Sequence, residues 1–464
     1  MKILHFEAEK LHGYLSFALD FHPDLVFLTG INGSGKTSAI RCIRALLAPS
    51  LVALGELNYS RISVSVSEGG EVLTITSWRQ NDDLCLSISG IGDSLRVPSL
   101  QPEPFGAPVR HSKRQRNYYR DQETKNAANP TLSAILRLPT PMYLDIERRY
   151  QDGTNLRSLS GLEGQATAGA TAGATQDGIK AAQALAEDAF RDYLDERSKK
   201  TDVLKQDIVL AAFRPGKAPG FGGITIPSSR DKAEMLRRIT ENEATLPSVL
   251  SQIGISDSKI EAVVLAFFRN ARQAVERVPV VDEIPRGGGQ LSDGQVFALQ
   301  NWSAIEPQVR QIDKLVELIE AYNKEIAVLF SPIKAYLETV NGFLSEVGKT
   351  LTLSSAGRLL VSLRDDGSSR PIYELSSGEK QMVVILTHLA FNRQAKLANV
   401  LIIDEPELSL HIRWQELFVD AVMSASPGLQ VILATHSPSI IRGRVDKCID
   451  VLEARRSDSL FDRG

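Results

Sequence analysis

The stretch Gly30-Ile31-Asn32-Gly33-Ser34-Gly35-Lys36-Thr37 constrains this chain more than any other. It fits the phosphate-loop pattern G-x-x-x-x-G-K-[ST] and has the neighbours that the pattern needs. Leu25 to Leu28 reads as a buried strand entering the loop, and Ser38 to Leu47 places apolar residues at helical spacing and stops before Pro49. Strand, glycine loop and helix, in that order, form one supersecondary unit. Its glycines let backbone N–H groups turn inward around phosphates, and the helix N-terminus adds its positive dipole end at the same spot. Gly30, Asn32, Gly33, Ser34, Gly35 and Ser38 are therefore candidate ATP-cradle residues, with Lys36 expected on the outer phosphates and the Thr37 hydroxyl on Mg²⁺.

The complementary half lies far along the chain. Val400-Leu401-Ile402-Ile403-Asp404-Glu405 is a continuous apolar run ending in two acids, as expected of a central parallel strand carrying a Walker B motif. Asp404 is the candidate for the Mg²⁺ shell and Glu405 for polarising the attacking water. Another apolar run, Val431 to Thr435, ends in His436, well placed to sense a terminal phosphate.

Between these halves, Leu375-Ser376-Ser377-Gly378-Glu379-Lys380-Gln381 resembles the signature motif of ABC-type ATPases, L-S-x-G-[EQ]-x-Q. That resemblance implies that Ser376, Ser377, Gly378 and Glu379 meet the γ-phosphate held by another subunit's phosphate loop, as part of a homodimer or higher homo-oligomer with composite ATP sites. Pro406 to His411 then matches the family's D-loop, and His436 its H-loop. Leu291-Ser292-Asp293-Gly294-Gln295 imitates the motif but is rejected as the signature, because it lies far before Asp404 and no parallel-strand run follows it.

At 464 residues the chain is long enough for two or three lobes. A formal net charge of -3 excludes a generally basic nucleic-acid binder while leaving local patches open. The cysteines Cys42, Cys85 and Cys448 follow no metal spacing. No secretory leader is legible, and no apolar run approaches about 18 residues, so a cytoplasmic protein without a membrane span is expected.

Taken in order, the chain opens with two short strands around the turn His12-Gly13-Tyr14, where either His12 or Tyr14 has a base-stacking or a plain turn role. Alternating stretches from Ile62 to Ile88 read as an antiparallel meander. Pro98 to Pro108 reads as a loop, followed by a basic stretch with Arg110, Lys113, Arg114, Arg116 and Arg120 beside Tyr118 and Tyr119. That stretch is a candidate nucleic-acid contact, although a solvated loop or a protein-docking site is the commoner outcome for such a run. Pro141 to Tyr150 reads as a strand. The family has a Q-loop glutamine near this point; no glutamine occupies the strand end here, which leaves Arg148 or Gln151 as its replacement. Residues 166–176, ATAGATAGATQ, read as a flexible linker, and helical patterns fill most of the following stretch. Ile305, Ile312, Ile319, Ile326, Ile333 and Val340, with Leu315, Tyr322, Leu329, Tyr336 and Phe343, form an a/d heptad seam that packs within the chain or between subunits, with a kink expected at Pro332.

The expected architecture is α/β: an ATPase head with a mostly parallel sheet and an antiparallel meander, built from lobes 1–150 and 346–464 around a helical insertion at 151–345. Such a split head resembles the SMC, Rad50 and RecF type. The form Glu405-Pro406-Glu407-Leu408-Ser409-Leu410-His411 with Ala434-Thr435-His436-Ser437-Pro438 is similar to the overcoming-lysogenization-defect (OLD) and AAA15 branch, which includes ATPases of the PARIS, Septu and retron anti-phage systems. The resemblance implies an ATP-hydrolysing sensor. The residues after His436 are too few for the Toprim nuclease common in that branch, so the effector is expected to be a separate protein. A RecF- or Rad50-like DNA-repair ATPase is the alternative. A transporter motor fits the long insertion least.

Overall fold

The computed structural model describes residues 1–100, 108–144, 150–151, 170–213, 226–252, 258–281, 291–364 and 367–455. Two compact units result. One combines Met1–Phe190 with Ile333–Gly464, and the other is Arg191–Pro332; the second unit's bounds fall inside the 151–345 insertion expected from sequence and within two long helices.

In the first unit, β1 (Lys2–Leu11), β2 (Leu15–Asp20), β4 (Arg61–Glu68), β5 (Glu71–Gln80), β6 (Asp83–Ile88) and β7 (Leu95–Val97) form a sheet of order β2-β1-β4-β5-β6-β7, antiparallel throughout. A second sheet is built from β3 (Leu25–Thr29), β8 (Met142–Leu144), β9 (Tyr150–Gln151), β13 (Val400–Asp404), β14 (Gln430–Ala434) and β15 (Cys448–Asp450). Its order is β15-β3-β14-β13-β8-β9, parallel except for the last pair. A small antiparallel sheet joins β10 (Lys349–Leu353), β11 (Leu359–Leu363) and β12 (Ser369–Pro371).

The apolar runs of β3, β13 and β14 have no polar face because both faces are covered. Successive side chains point oppositely. Val26, Leu28, Ile402, Ile432 and Ala434 join a core with Ile40, Ile43 and Leu46 of α1 (Lys36–Leu47) and with Phe6, Phe17 and Val64 of the antiparallel sheet. Phe27, Leu401, Ile403, Val431 and Leu433 join another core on the opposite face, with Met382, Val383 and Leu386 of α9 (Ser377–Phe391), Ala395 of α10 (Arg393–Ala398) and Phe418 of α11 (Ile412–Ala425). Helix α1 is thus held between the two large sheets.

Before β8 come α2 (Leu51–Glu56), α3 (Pro108–Lys125) and α4 (Pro130–Arg137). The basic stretch is therefore helix, not loop. Proline at its first position and a run of straight-chain Arg, Lys and Gln favour that outcome. Tyr119 is buried in the core, and the Tyr118 hydroxyl donates to the Pro98 carbonyl at 2.8 Å, so neither ring forms an exposed stacking platform for bases. Arg116 pairs with Glu56 at 2.7 Å. The side chains of Arg110 and Lys113 lie outside the described residues.

The expected linker is also corrected where it is described, because 170–176 opens the helix α5 (Ala170–Phe213). Alanine's helix propensity prevails over the small, repetitive composition. Residues 166–169 lie outside the described residues.

The second unit contains α6 (Ser229–Gln252), α7 (Ser258–Arg277) and the greater part of α8 (Asp293–Leu344), which is continuous through Pro307 and Pro332. Ile239, Phe268, Val275, Leu299, Trp302 and Val309 form its core, with Ile305 and Ile312 of the heptad seam packed against them. Ile319 packs on Leu204, while Tyr336, Val340 and Phe343 enter the first unit's core. At these positions the seam packs within the chain. Among the described residues no helix is long and apolar enough to cross a membrane.

Candidate functional site

The loop after β3 requires glycine at three places. Gly30, Gly33 and Gly35 have φ of +134°, +81° and +110°, which L side chains rarely adopt. Space enforces the same choice. A Cβ on Gly30 would sit 2.8 Å from Ser34 Oγ and 3.3 Å from Asp450 Oδ1, and one on Gly35 would sit 3.3 Å from the Phe17 ring. The loop feeds directly into α1, whose first residue is Lys36.

Lys36 Nζ lies across the loop and donates to the carbonyls of Gly30 at 2.9 Å and Ile31 at 3.4 Å. Burial pushes its pKa down, and the nearby carboxylates of Asp404, Glu405, Glu407 and Asp450 oppose that shift. Four acids around one ammonium make a pocket whose charge balance depends on that lysine. Ser34 is buried, Asn32 is exposed, and the Ser38 hydroxyl lies 3.0 Å from His12 Nε2, tying the helix start to the β1–β2 turn. Tyr14 is exposed, with the Arg455 guanidinium 5.7 Å from its ring centre.

The sheet brings the distant acids to this loop. Strand β14 lies between β3 and β13, with Asp404 beside Ala434 and Ala434 beside Leu28. The carboxyl ends of neighbouring parallel strands are where open α/β sheets bind ligands. Asp404 is buried at the end of β13. Glu405 follows in the left-handed region at φ 51°, and its N–H donates to the Ala434 carbonyl at 2.8 Å. A non-glycine residue there carries backbone strain of the kind held at functional turns. His436 is exposed just beyond β14, beside a cleft of about 380 Å³ lined by Thr29, Gly30, Thr435, His436, Pro438, Ile441, Gly443 and Val445.

Thr37 at the start of α1 and the Asp404 carboxylate offer the oxygen donors that Mg²⁺ prefers, the rest of its shell being phosphate and water in sites of this kind. The glycine cradle and the basic, buried Lys36 fit a polyphosphate on the same grounds.

At the expected signature, Ser376 caps α9. Its Oγ accepts from Glu379 N–H at 3.4 Å, and Glu379 Oε2 accepts from Ser376 N–H at 2.7 Å. The Glu379 carboxylate also receives two bonds from Lys349 Nζ, at 2.8 and 2.9 Å, and is 5% exposed. Its oxygens are committed within the chain, which makes Glu379 a structural cap here in place of the nucleotide contact expected of it. Ser377 and Gly378 open the helix, with their amides at its N-terminus. The imitation at Leu291 has the same local chemistry, with Gln295 N–H donating to Ser292 Oγ at 3.3 Å and Ser292 N–H donating to Gln295 Oε1 at 2.9 Å. Both sequences are capping boxes, which explains why they resemble each other.

The cap can be measured by thermal or urea unfolding. Lys349→Ala is expected to destabilise the chain by roughly 1–3 kcal/mol, because it leaves a buried carboxylate without its cation. Glu379→Gln added to Lys349→Ala should recover part of that loss. No change in either variant would contradict the cap.

Of the two expected replacements for the Q-loop glutamine, Arg148 lies outside the described residues, and Gln151 pairs with Tyr143 through its backbone. His411 caps α11, its Nδ1 accepting from Arg413 N–H at 3.4 Å. Two contributors escaped the sequence reading, Asp450 beside the phosphate loop and Lys349 under the signature. Neither belongs to a motif, and only the fold brings them near.

Residues 255–442 match a family model described as "AAA domain, putative AbiEii toxin, Type IV TA system", a span that contains the signature, Asp404, Glu405 and His436. Over that span the chain is similar to this AAA family. The phosphate loop lies outside the matched span and is joined to it by the pairing of β3 with β14. The chain is 28% identical over 143 residues to a Vibrio cholerae serotype O1 biovar El Tor protein described as "Retron Vc95 probable ATPase". That alignment covers 28% of this chain and 27% of the Vibrio protein. Among solved structures, the Smc head domain of Pyrococcus furiosus with an extended coiled coil aligns over 95% of this chain and 91% of its own, at 13% identity and TM-score 0.39. The Smc head domain of Pyrococcus yayanosii with a coiled coil and joint aligns over 95% and 93%, at 14% identity and TM-score 0.35.

Proposed function

We propose that this chain binds ATP with Mg²⁺, hydrolyses it, and uses the cycle as the regulatory subunit of an anti-phage defence system whose damaging step is performed by a separately encoded effector. The observation that carries the hydrolytic part is the convergence of Lys36, Asp404, Glu405 and His436 at the carboxyl ends of three adjacent parallel strands. The defence part is supported by likeness to the retron ATPase.

In this reading the glycine loop and the amides at the start of α1 hold the phosphates, and Lys36 leaves its own loop carbonyls to meet the outer ones. Thr37 and Asp404 hold Mg²⁺, which when bound neutralises charge on the phosphate oxygens. Glu405 orients the water and accepts its proton as the water attacks the γ-phosphorus and ADP leaves, and His436 donates a hydrogen bond to the transferred phosphoryl group. Ser376, Ser377 and Gly378 complete a site on a second copy, so the working species is at least a dimer. The buried Tyr119 and the hydrogen-bonded Tyr118 argue against base stacking by α3, and the DNA dependence of turnover separates the repair-clamp alternative.

The test mixes two inactive chains. Lys36→Ala damages the phosphate loop and Ser377→Arg blocks the helix start that serves the other copy, so each mixed dimer should regain one intact composite site. With random pairing about half of the dimers are mixed, and the ATPase rate should approach about a quarter of that of wild type. A mixture as inactive as both parents, with assembly verified, would rule out the shared site. Turnover that needs added DNA would instead favour the repair alternative.

A further inference from the structure

The turns after β13 and β14 are tied together by a chain of hydrogen bonds. Glu407 Oε1 accepts from the His436 N–H at 2.7 Å, and Glu407 Oε2 accepts from the Thr435 hydroxyl at 2.9 Å. Thr435 Oγ1 accepts from the Ser437 N–H at 3.0 Å, and Ser437 Oγ donates to Gln415 Oε1 at 2.7 Å. Gln415 Nε2 returns to the first turn, donating to the Leu410 carbonyl at 2.9 Å. Thr435 is 1% exposed, so its hydroxyl is held in a dry setting. Among the described residues the His436 ring makes no hydrogen bond, so where that ring starts from is set by its own backbone.

We propose that Glu407 is the positioning residue for His436, a role that rests on the hydrolytic reading above. Two bonds to one carboxylate define the orientation of the Thr435–His436 peptide better than either alone, and bonds to an ionised acceptor are the strong ones. Because Glu407 belongs to the Pro406–Ser409 turn, anything that moves this turn moves His436 with it. A partner or second subunit touching the turn thereby acts on the hydrolytic site without touching nucleotide.

Two substitutions separate hydrogen bonding from charge. Glu407→Ala removes both acceptors. Glu407→Gln keeps the amide oxygen for the His436 N–H, while its NH₂ can donate to Thr435 Oγ1, since a hydroxyl is both donor and acceptor. Glu407→Ala should lower kcat by about 10- to 100-fold with KM changed less than about 3-fold, as expected when a reacting group is misplaced without loss of ground-state binding. Glu407→Gln should stay within about 5-fold of wild type. In a His436→Ala background, adding Glu407→Ala should change kcat by less than about 2-fold, because the two act as one unit.

Hydrogen exchange supplies a readout independent of turnover. The His436 amide should exchange at least about 10-fold faster in Glu407→Ala than in wild type while the β13 and β14 amides stay protected. Wild-type kcat in Glu407→Ala, equal impairment of the Ala and Gln variants, or unchanged exchange at His436 would each overturn the proposal. Failure of the ATPase reading looks different: wild type would not hydrolyse ATP, and the amide exchange would still show whether Glu407 holds His436.

Discussion

Glu405→Gln is expected to reduce ATP turnover by about 10²- to 10⁴-fold while leaving ATP affinity within a few fold of wild type. The carboxylate is the only part of the residue that changes. Glutamine has nearly the same shape, and the backbone bond from Glu405 N–H to the Ala434 carbonyl does not depend on the side chain. What is lost is a base able to take the proton of the attacking water. In the proposed mechanism ground-state binding depends instead on the glycine loop, Lys36 and the metal oxygens, none of which changes. Steady-state turnover and equilibrium binding of a fluorescent nucleotide check both halves. Comparable turnover of Glu405→Gln and wild type would remove Glu405 from the mechanism.

The second large effect is on binding. Lys36→Ala should weaken ATP by about 2–5 kcal/mol, or roughly 30- to 5,000-fold. The magnitude reflects more than a missing contact. Asp404, Glu405, Glu407 and Asp450 all act on the Lys36 ammonium, so its removal leaves a site of uncompensated carboxylates facing a polyphosphate. Lys36→Arg keeps the charge but brings a planar guanidinium into a loop where the ammonium bonds two carbonyls, and should restore affinity only in part. Added Asp450→Asn should recover some affinity in Lys36→Ala, because it lowers the repulsion. Isothermal titration with a non-hydrolysable ATP analogue measures each step. Equal affinity in wild type and Lys36→Ala would contradict the assigned role.

Much of this site is legible in local sequence. Glycines at three positive-φ positions and an adjoining amphipathic helix can be read from Gly30 to Leu47, because a loop of that kind restricts which residues its backbone will accept. The apolar runs at Val400 and Val431 likewise announce strands covered on both faces. Local composition misled where it had two meanings. The alanine-rich 170–176 reads equally as linker and helix, and the basic stretch after Pro108 reads as loop until Tyr119 is seen in the core. Two capping boxes, at Ser292 and Ser376, resemble each other in sequence because both satisfy the same unpaired helix-start amides.

What the sequence by itself determined is the chemistry available: a glycine-rich loop with its lysine, an acid pair and a histidine, each written in a short segment whose backbone requirements are local. What only the tertiary structure decided is which groups act on one another. Strand β14 inserts between β3 and β13 and carries His436 to the same sheet edge as Lys36 and Asp404. Asp450 arrives beside Gly30 on the neighbouring β15, and Glu407 reaches across to the backbone of His436. Electrostatic and hydrogen-bond energies depend on separation in space, and residues hundreds of positions apart acquire that separation only when the parallel sheet is assembled.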